Sequence, residues 1–214
     1  MKKGIIFDLD GTLWDVTDTT WTAANEIANK YGFPPITKET IMNGFGKDKE
    51  SNAKLYFPTV ELDKAINLLS ETSILKNEIL SKTGGIIYNN LKSTLDKLKD
   101  TYDFFIVSYT SDRKYIEIFL ESSGLSEYFT DYIASGELNM KKYEAIKEVI
   151  NRNNLKESVY VGDTIIDRDE SNLAGVPFIH ARYGFDKELN SKYSIDKIDD
   201  LVSILENIFK TNLN

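Results

Sequence analysis

Hydrophobic positions along the chain follow two rhythms. Gly4-Ile5-Ile6-Phe7-Asp8-Leu9 is a short β-branched and aromatic run that stops at the turn pair Asp10-Gly11, the pattern of a buried strand. From 15 to about 82 the apolar residues recur at helical spacing instead. A helix is predicted over 18–30, with Trp21, Ala24, Ile27 and Ala28 on one face and Gly32 beyond its end. Pro34-Pro35 breaks the chain, and Thr37-Lys38-Glu39-Thr40 opens a second helix in the manner of a capping box. Two more helices are predicted over 48–57 and 60–81.

From about residue 88 helices and strands alternate. Helices are predicted over 88–99, 113–122, 142–152, 166–174 and 196–210, and strands over 104–108, 132–134, 158–161 and 176–179. That alternation implies a parallel sheet covered on both faces. The first strand must join it, because alone it would leave its backbone unpaired. The expected fold class is therefore α/β, a Rossmann-like doubly wound parallel sheet carrying a helical insertion. Residues 1–14 plus 84–214 form the sheet domain and 15–83 the insertion. The tail 210–214 is expected to fray.

Composition narrows the chemistry. The chain has 214 residues, 41% of them hydrophobic, enough for one sizeable core. With no cysteine and one histidine, thiolate nucleophiles, cysteine zinc sites and histidine-rich metal sites are excluded. A net charge of −8 repels nucleic-acid backbones, so no nucleic-acid partner is expected. A small phosphate can still bind where a local cation offsets that field. No apolar run approaches the roughly 18 residues of a membrane span, and the opening residues lack the apolar stretch of a secretory leader. The expectation is a cytoplasmic protein with no membrane partner, monomeric or homodimeric.

In an open parallel sheet, ligands bind beyond the carboxyl ends of the strands. Those ends carry Asp8-Leu9-Asp10-Gly11-Thr12, Ser108-Tyr109-Thr110-Ser111 and Gly162-Asp163-Thr164, with Asp167 four residues on and Lys141-Lys142 opening a neighbouring helix. Taken singly, each has an ordinary reading: an Asp-Gly turn, or carboxylates favoured in the first turn of a helix. Together they place several carboxylates, a hydroxyl and one or two lysines on one rim. Mutually repelling carboxylates need a cation, and an all-oxygen set suits Mg²⁺ completed by water and substrate phosphate. One carboxylate can attack phosphorus, Asp10 can move protons, and Ser108 with a lysine can hold the transferring group.

Asp8-Leu9-Asp10-Gly11-Thr12-Leu13, a hydrophobic strand ending in Ser108, a lysine near 142 and Gly162-Asp163-x-x-x-Asp167 resemble, in order, the four motifs of the haloacid-dehalogenase-like hydrolases. The helical insertion resembles the cap of the branch containing phosphoglycolate phosphatase and β-phosphoglucomutase. Ile41-Met42-Asn43-Gly44-Phe45-Gly46-Lys47 looks like that cap's substrate loop, and Tyr183-Gly184-Phe185 fits the same branch. The resemblance implies Asp8 as nucleophile and Asp10 as general acid/base. Asp8, the Asp10 carbonyl and Asp163 would bind Mg²⁺, with Asp167 supporting its waters. Ser108 and Lys142 would hold the phosphoryl group, Lys142 rather than Lys141 because its four-residue step to Ile146 matches the family's helix pattern. Tyr109 stands where relatives of this branch often carry Asn, narrowing the site, and Lys47 would meet substrate anions. The implied function is hydrolysis of a small phosphorylated metabolite. The alternatives are a sugar phosphomutase, or a non-catalytic phosphate sensor on the same fold. His180 is expected to be a satisfied polar group, Trp14 and Trp21 packing residues, Arg113 a helix-end or solvent group, and Tyr128, Phe129 and Tyr132 core.

Overall fold

A short apolar strand needs backbone partners on both edges, and β1 (Lys3–Phe7) has them. The computed structural model describes residues 3–211. In it β1 lies inside a six-stranded parallel sheet with β4 (Asp103–Ser108), β5 (Phe129–Ala134), β6 (Glu157–Gly162), β7 (Phe178–Ala181) and β8 (Tyr193–Ile195). The spatial order is β5-β4-β1-β6-β7-β8. The chain thus runs outward from β1 to β5, then crosses back to the far side of β1. A crevice opens where that direction reverses, between the ends of β1 and β6. Phe7 pairs in register with both Ile106 and Val161, so Asp8, Ser108 and Asp163 emerge along the same edge.

Alternation along β1 covers both faces of the sheet. Ile5 and Phe7 pack with Leu91 and Leu95 of α5 (Leu91–Leu98), Ile116 and Phe119 of α6 (Arg113–Ser123), and Leu205 of α9 (Leu201–Thr211). Ile6 faces the other way, toward Ala145, Ile146 and Val149 of α7 (Lys142–Arg152). Beside α7 runs α8 (Ile165–Ala174).

The insertion forms a helical cap with its own core. Its helices are α1 (Thr17–Lys30), α2 (Lys38–Met42), α3 (Lys49–Tyr56) and α4 (Leu62–Thr83). Ala24, Ile27, Ile41, Ala53 and Leu68 bury one another there. Thr37 caps α2 by accepting the Thr40 N–H, and Asp48 caps α3 by accepting that of Ser51. The chain leaves and re-enters the sheet domain through a two-stranded ribbon of β2 (Trp14–Asp15) and β3 (Ile86–Ile87).

Three expectations are corrected. Trp21 is 37% exposed rather than packed. It sits at the flank of the buried stripe of α1 and donates its indole N–H to the Ile36 carbonyl. The helix expected over 196–210 is broken up: β8 precedes it, a 3-10 turn covers Ile198–Asp200, and α9 starts only at Leu201. Asp200 accepts the N–H groups of Asp196 and Lys197, which favours the turn over an earlier helix start. Tyr128 and Tyr132 are only partly buried, although Phe129 is core. The expected fraying of the tail concerns 212–214, outside the described residues, and 210–211, which continue α9.

The ribbon is tightly filled. A Cβ on Gly85 would lie 2.6 Å from Trp14 and 2.9 Å from Val16. Gly85→Ala is expected to cost about 1–3 kcal/mol through overpacking, measured by urea unfolding. A variant as stable as the parent would show that the ribbon has room.

Candidate active site

Each carboxylate on the rim is held by a different device. Asp8 follows β1 and its N–H donates to the Val161 carbonyl at 2.8 Å. Asp163 follows β6, where the Thr12 hydroxyl donates to one oxygen at 3.2 Å and the Phe185 N–H to the other at 2.8 Å. Gly11, at φ +79°, and Gly184 both pack so closely on Asp163 that any side chain at either would collide with it. Asp167 lies in the first turn of α8. Its Oδ2 accepts the N–H groups of Asp163 and Thr164 and the Thr164 hydroxyl, while Thr164 accepts the Asp167 N–H in return.

One cation binds this group together. The Lys142 ammonium donates to Asp8 Oδ1 at 2.8 Å and to Asp167 Oδ1 at 2.6 Å. All three residues are buried. Lys141, by contrast, is exposed and uses its backbone N–H on Glu144. An ammonium has three donors, and the buried Tyr160 hydroxyl is a further partner of Lys142 beside the two carboxylates.

Crowding is visible in the proton affinities. Burial pushes the Asp8 carboxyl up to about 7, against the pull of Lys142 and with a further push from Asp167. Burial, then Asp167 and Asp8, hold Asp163 well above the usual carboxylate range. Burial also works against ionised Asp167, but Lys142 and the Thr164 donors outweigh it and keep its carboxyl low. Lys142 pays for its own burial through Asp167 and Asp8, which hold it well above the ordinary lysine value.

Oxygens of Asp8, Asp163 and Asp167 lie within 4.8 Å of one another. This donor set fits a hard divalent cation: hard oxygens, buried, and short of positive charge with a single lysine among them. Asp167 accepts the Lys142 ammonium and the Tyr160 hydroxyl on one oxygen and three donors on the other, whereas each Asp163 oxygen accepts one neutral donor and keeps a lone pair. Asp8 and Asp163 are therefore the better candidates for direct ligands, with Asp167 as their support.

Asp10 sits slightly apart. Its Oδ1 accepts the Trp14 indole N–H at 2.8 Å and the Tyr115 hydroxyl at 2.5 Å. Burial pushes its carboxyl up, and the Lys76 ammonium with those two hydrogen bonds restrains the rise. A cavity of about 770 Å³ opens above Asp8 and Asp10, between the rim and the cap, and Ser108, Tyr109, Lys47 and Lys142 also line it. Lys47 is exposed at its mouth. Phe45 of the cap loop stacks flat on Phe185 of the sheet domain, with ring centroids 4.3 Å apart.

The structure thus brings every expected site residue to one cavity or its floor, Asp163 and Asp167 lying beneath it. Sequence reasoning missed Thr12, Trp14, Lys76, Tyr115 and Thr164. The spacing of Trp14, four residues after Asp10, carried a hint, whereas Lys76 and Tyr115 come from distant helices without a local signal. His180 is fully buried and outside the cavity, and it is only half the satisfied group expected: Nε2 is hydrogen-bonded to the Asp186 carbonyl, whereas Nδ1 has no partner among the described residues. Arg113 lies on the surface, bonded to Glu117 and Tyr132.

Lys142→Met removes the cation from two buried carboxylates, Asp8 and Asp167. A loss of about 3–5 kcal/mol is expected, read by chemical denaturation. An unchanged unfolding midpoint would show that the carboxylates do not depend on it.

Comparison with known proteins gives consistent matches. A family model described as "Haloacid dehalogenase-like hydrolase" matches residues 5–181. A phosphoglycolate phosphatase of Vibrio parahaemolyticus is 23% identical over 218 residues, covering 95% of this chain and 96% of that one. A glyceraldehyde 3-phosphate phosphatase of Methanocaldococcus jannaschii is 29% identical over 237 residues, covering 98% and 100%. The crystal structure of a predicted phosphoglycolate phosphatase from Haemophilus somnus 129pt shares the fold, with a TM-score of 0.85, 19% identity, and coverage of 95% and 98%. Among the described residues, no helix is long and apolar enough to cross a membrane.

Proposed function

Because the chain belongs to the haloacid dehalogenase-like hydrolases and is a hydrolase of phosphate esters, we propose that it is a Mg²⁺-dependent phosphatase of small phosphorylated metabolites, resembling phosphoglycolate phosphatase. It works through an aspartyl-phosphate on Asp8. The observation that carries the reading is the buried contact of Lys142 with Asp8, beside Asp163 and below the cavity. In this reading 1–14 plus 84–214 form the catalytic domain and 15–83 the cap over it.

The residues divide the work as follows. Asp8 Oδ1 is engaged by Lys142, and the other oxygen attacks phosphorus. As that bond forms, the ester P–O bond breaks and Asp10 donates its proton to the departing alkoxide. A raised Asp10 proton affinity suits a group that must carry that proton near neutrality. Asp10 next takes a proton from water, whose oxygen attacks the aspartyl-phosphate and frees both phosphate and Asp8. Trp14 and Tyr115 aim Asp10 throughout. The Lys142 ammonium and the Ser108 hydroxyl, both lining the cavity, hold phosphoryl oxygens, and Tyr109 narrows the space beside them. Asp8, the Asp10 carbonyl and Asp163 would hold Mg²⁺, with Asp167 as support, and the bound ion would neutralise charge on the transferring group. Lys47 at the mouth attracts the anionic substrate.

Asp8→Asn is expected to lower p-nitrophenyl phosphate hydrolysis by at least about a thousandfold while circular dichroism stays unchanged. Residual turnover near the parent rate would refute the nucleophile assignment. For Asp163→Asn, the Mg²⁺ concentration giving half-maximal activity should rise by about tenfold or more. A superimposable metal titration would remove Asp163 from the ligand set.

A further inference from the structure

A histidine is an unusual filling for the inside of a sheet, and His180 is the only one in the chain. It is fully buried on β7, in register with Gly162, the residue before Asp163. Phe178 and His180 share one face of that strand, their rings 6.3 Å apart. A carbonyl can only accept, so the 2.7 Å contact with the Asp186 carbonyl puts the hydrogen on Nε2. In the neutral ring Nδ1 is then a bare acceptor, and among the described residues no donor reaches it. A buried polar atom left in that state is destabilising, and an apolar side chain of similar size would avoid the penalty. The interaction that offsets it is the bond to Asp186.

That bond ends on the loop that serves Asp163. Just after β7 the Gly184 N–H donates to the Ala181 carbonyl at 3.0 Å, turning the backbone back on itself. The Tyr183 hydroxyl donates to the Thr12 carbonyl at 2.9 Å, and the Thr12 hydroxyl in turn donates to one oxygen of Asp163. The Phe185 N–H donates to the other oxygen. Both donors on Asp163 therefore lean on this loop. Tyr183 ties it down before Phe185, and His180 ties it down immediately after. Only the soft dihedrals of Phe185 and Asp186 separate the two bonds, so a fixed carbonyl restricts where the amide can point. The Phe185 ring, stacked on Phe45 of the cap loop, shares the same anchor.

We propose that His180 is a positioning residue: by holding the Asp186 carbonyl it fixes the Phe185 N–H on Asp163 and so sets the direction of that carboxylate. It acts through the backbone and touches neither substrate nor reacting atoms. The inference rests on the reading of Asp163 as a metal ligand for its effect on Mg²⁺, whereas its effect on the loop is independent of that reading.

Three substitutions test it. Gln carries its amide N–H as many bonds from Cα as Nε2 stands, Asn places its own where Nδ1 stands, and Leu has none. In His180→Leu and His180→Asn the Phe185 amide should exchange with solvent about tenfold faster, the worth of one hydrogen bond, read by NMR. The amides of β6 and β7 should keep the parent rates, and His180→Gln should restore that of Phe185. Calorimetric Mg²⁺ binding should weaken by about tenfold in the same two variants and recover in His180→Gln. Parent-like exchange at Phe185 in both variants would overturn the proposal, because the bond would then be idle. Acceleration spread evenly over the sheet would overturn it too, by showing a histidine that only supports the fold. If His180→Leu does not fold, the contrast between Gln and Asn still decides. Failure of the metal reading is distinguishable, since exchange is measured without metal or turnover. Should Asp163→Asn leave Mg²⁺ binding unchanged, Asp163 ceases to be a ligand, and the exchange pattern alone decides on His180. Should Mg²⁺ binding depend on Asp163 yet ignore His180→Leu and His180→Asn, the loop does not aim the carboxylate and the proposal falls.

Discussion

The site depends on a single buried ammonium touching two buried carboxylates. Charges taken out of water are tolerated only when paired and hydrogen-bonded. Lys142 meets that condition for Asp8 and Asp167, while Asp163 relies on neutral donors from Thr12 and Phe185. One lysine cannot balance three carboxylates. The imbalance is what makes the cluster a receptor for further positive charge, and it explains why Asp8 and Asp163 hold protons more tightly than ordinary carboxylates while Asp167 does not. The sheet makes this crowding possible. Reversal of strand order beside β1 delivers Asp8 and Asp163 to neighbouring strand ends, and α7 inserts its first residue from the side.

Much of this could be read before any coordinates. Strand residues such as Ile5, Ile6 and Phe7 are buried on both faces and so appear as an unbroken apolar run, which marks a central parallel strand. Asp8, Asp10, Ser108 and Asp163 were accessible for the same reason: each stands at or just beyond the end of such a run. The three residues of β8 were not, because an edge strand that short shows no periodicity. Trp21 misled because one helical turn separates it from truly buried positions, and a residue at the flank of a stripe looks the same in a one-dimensional pattern. The distant partners of Asp10 were hidden more deeply. Tyr115 lies 105 residues from Asp10 in the chain, and Lys76 falls on the same stripe of α4 as the buried Thr72 and Leu80, where a lysine looks like a break in the packing face. Contacts of that kind are created by tertiary structure alone.

The cap and the sheet domain meet in an arrangement of opposites. Acidic groups crowd the floor, whereas the cap contributes Lys47, Lys49 and Lys76 to the walls together with Asp48 and Glu50. The walls thus carry one more positive than negative side chain from the cap, while the charge beneath is organised by Lys142 and hydrogen bonds. The stack of Phe45 on Phe185 brings the two parts into contact at one side of the opening. The amide of Phe185 also holds Asp163, so the loop that shields the cavity rests on a residue that orients the cluster.

Trp14 carries a similar double duty. It belongs to the ribbon through which the chain passes into the cap, and its indole N–H is one of two donors fixed on Asp10. Its ring also lies against Gly85, the residue just before the returning strand. A smaller or differently shaped residue there, which loosened the ribbon, would also remove one of the two hydrogen bonds that fix the Asp10 carboxyl. Substitution is then easier at the tip of the cap loop, where a change reshapes the cavity wall and leaves the contacts of Asp10 intact.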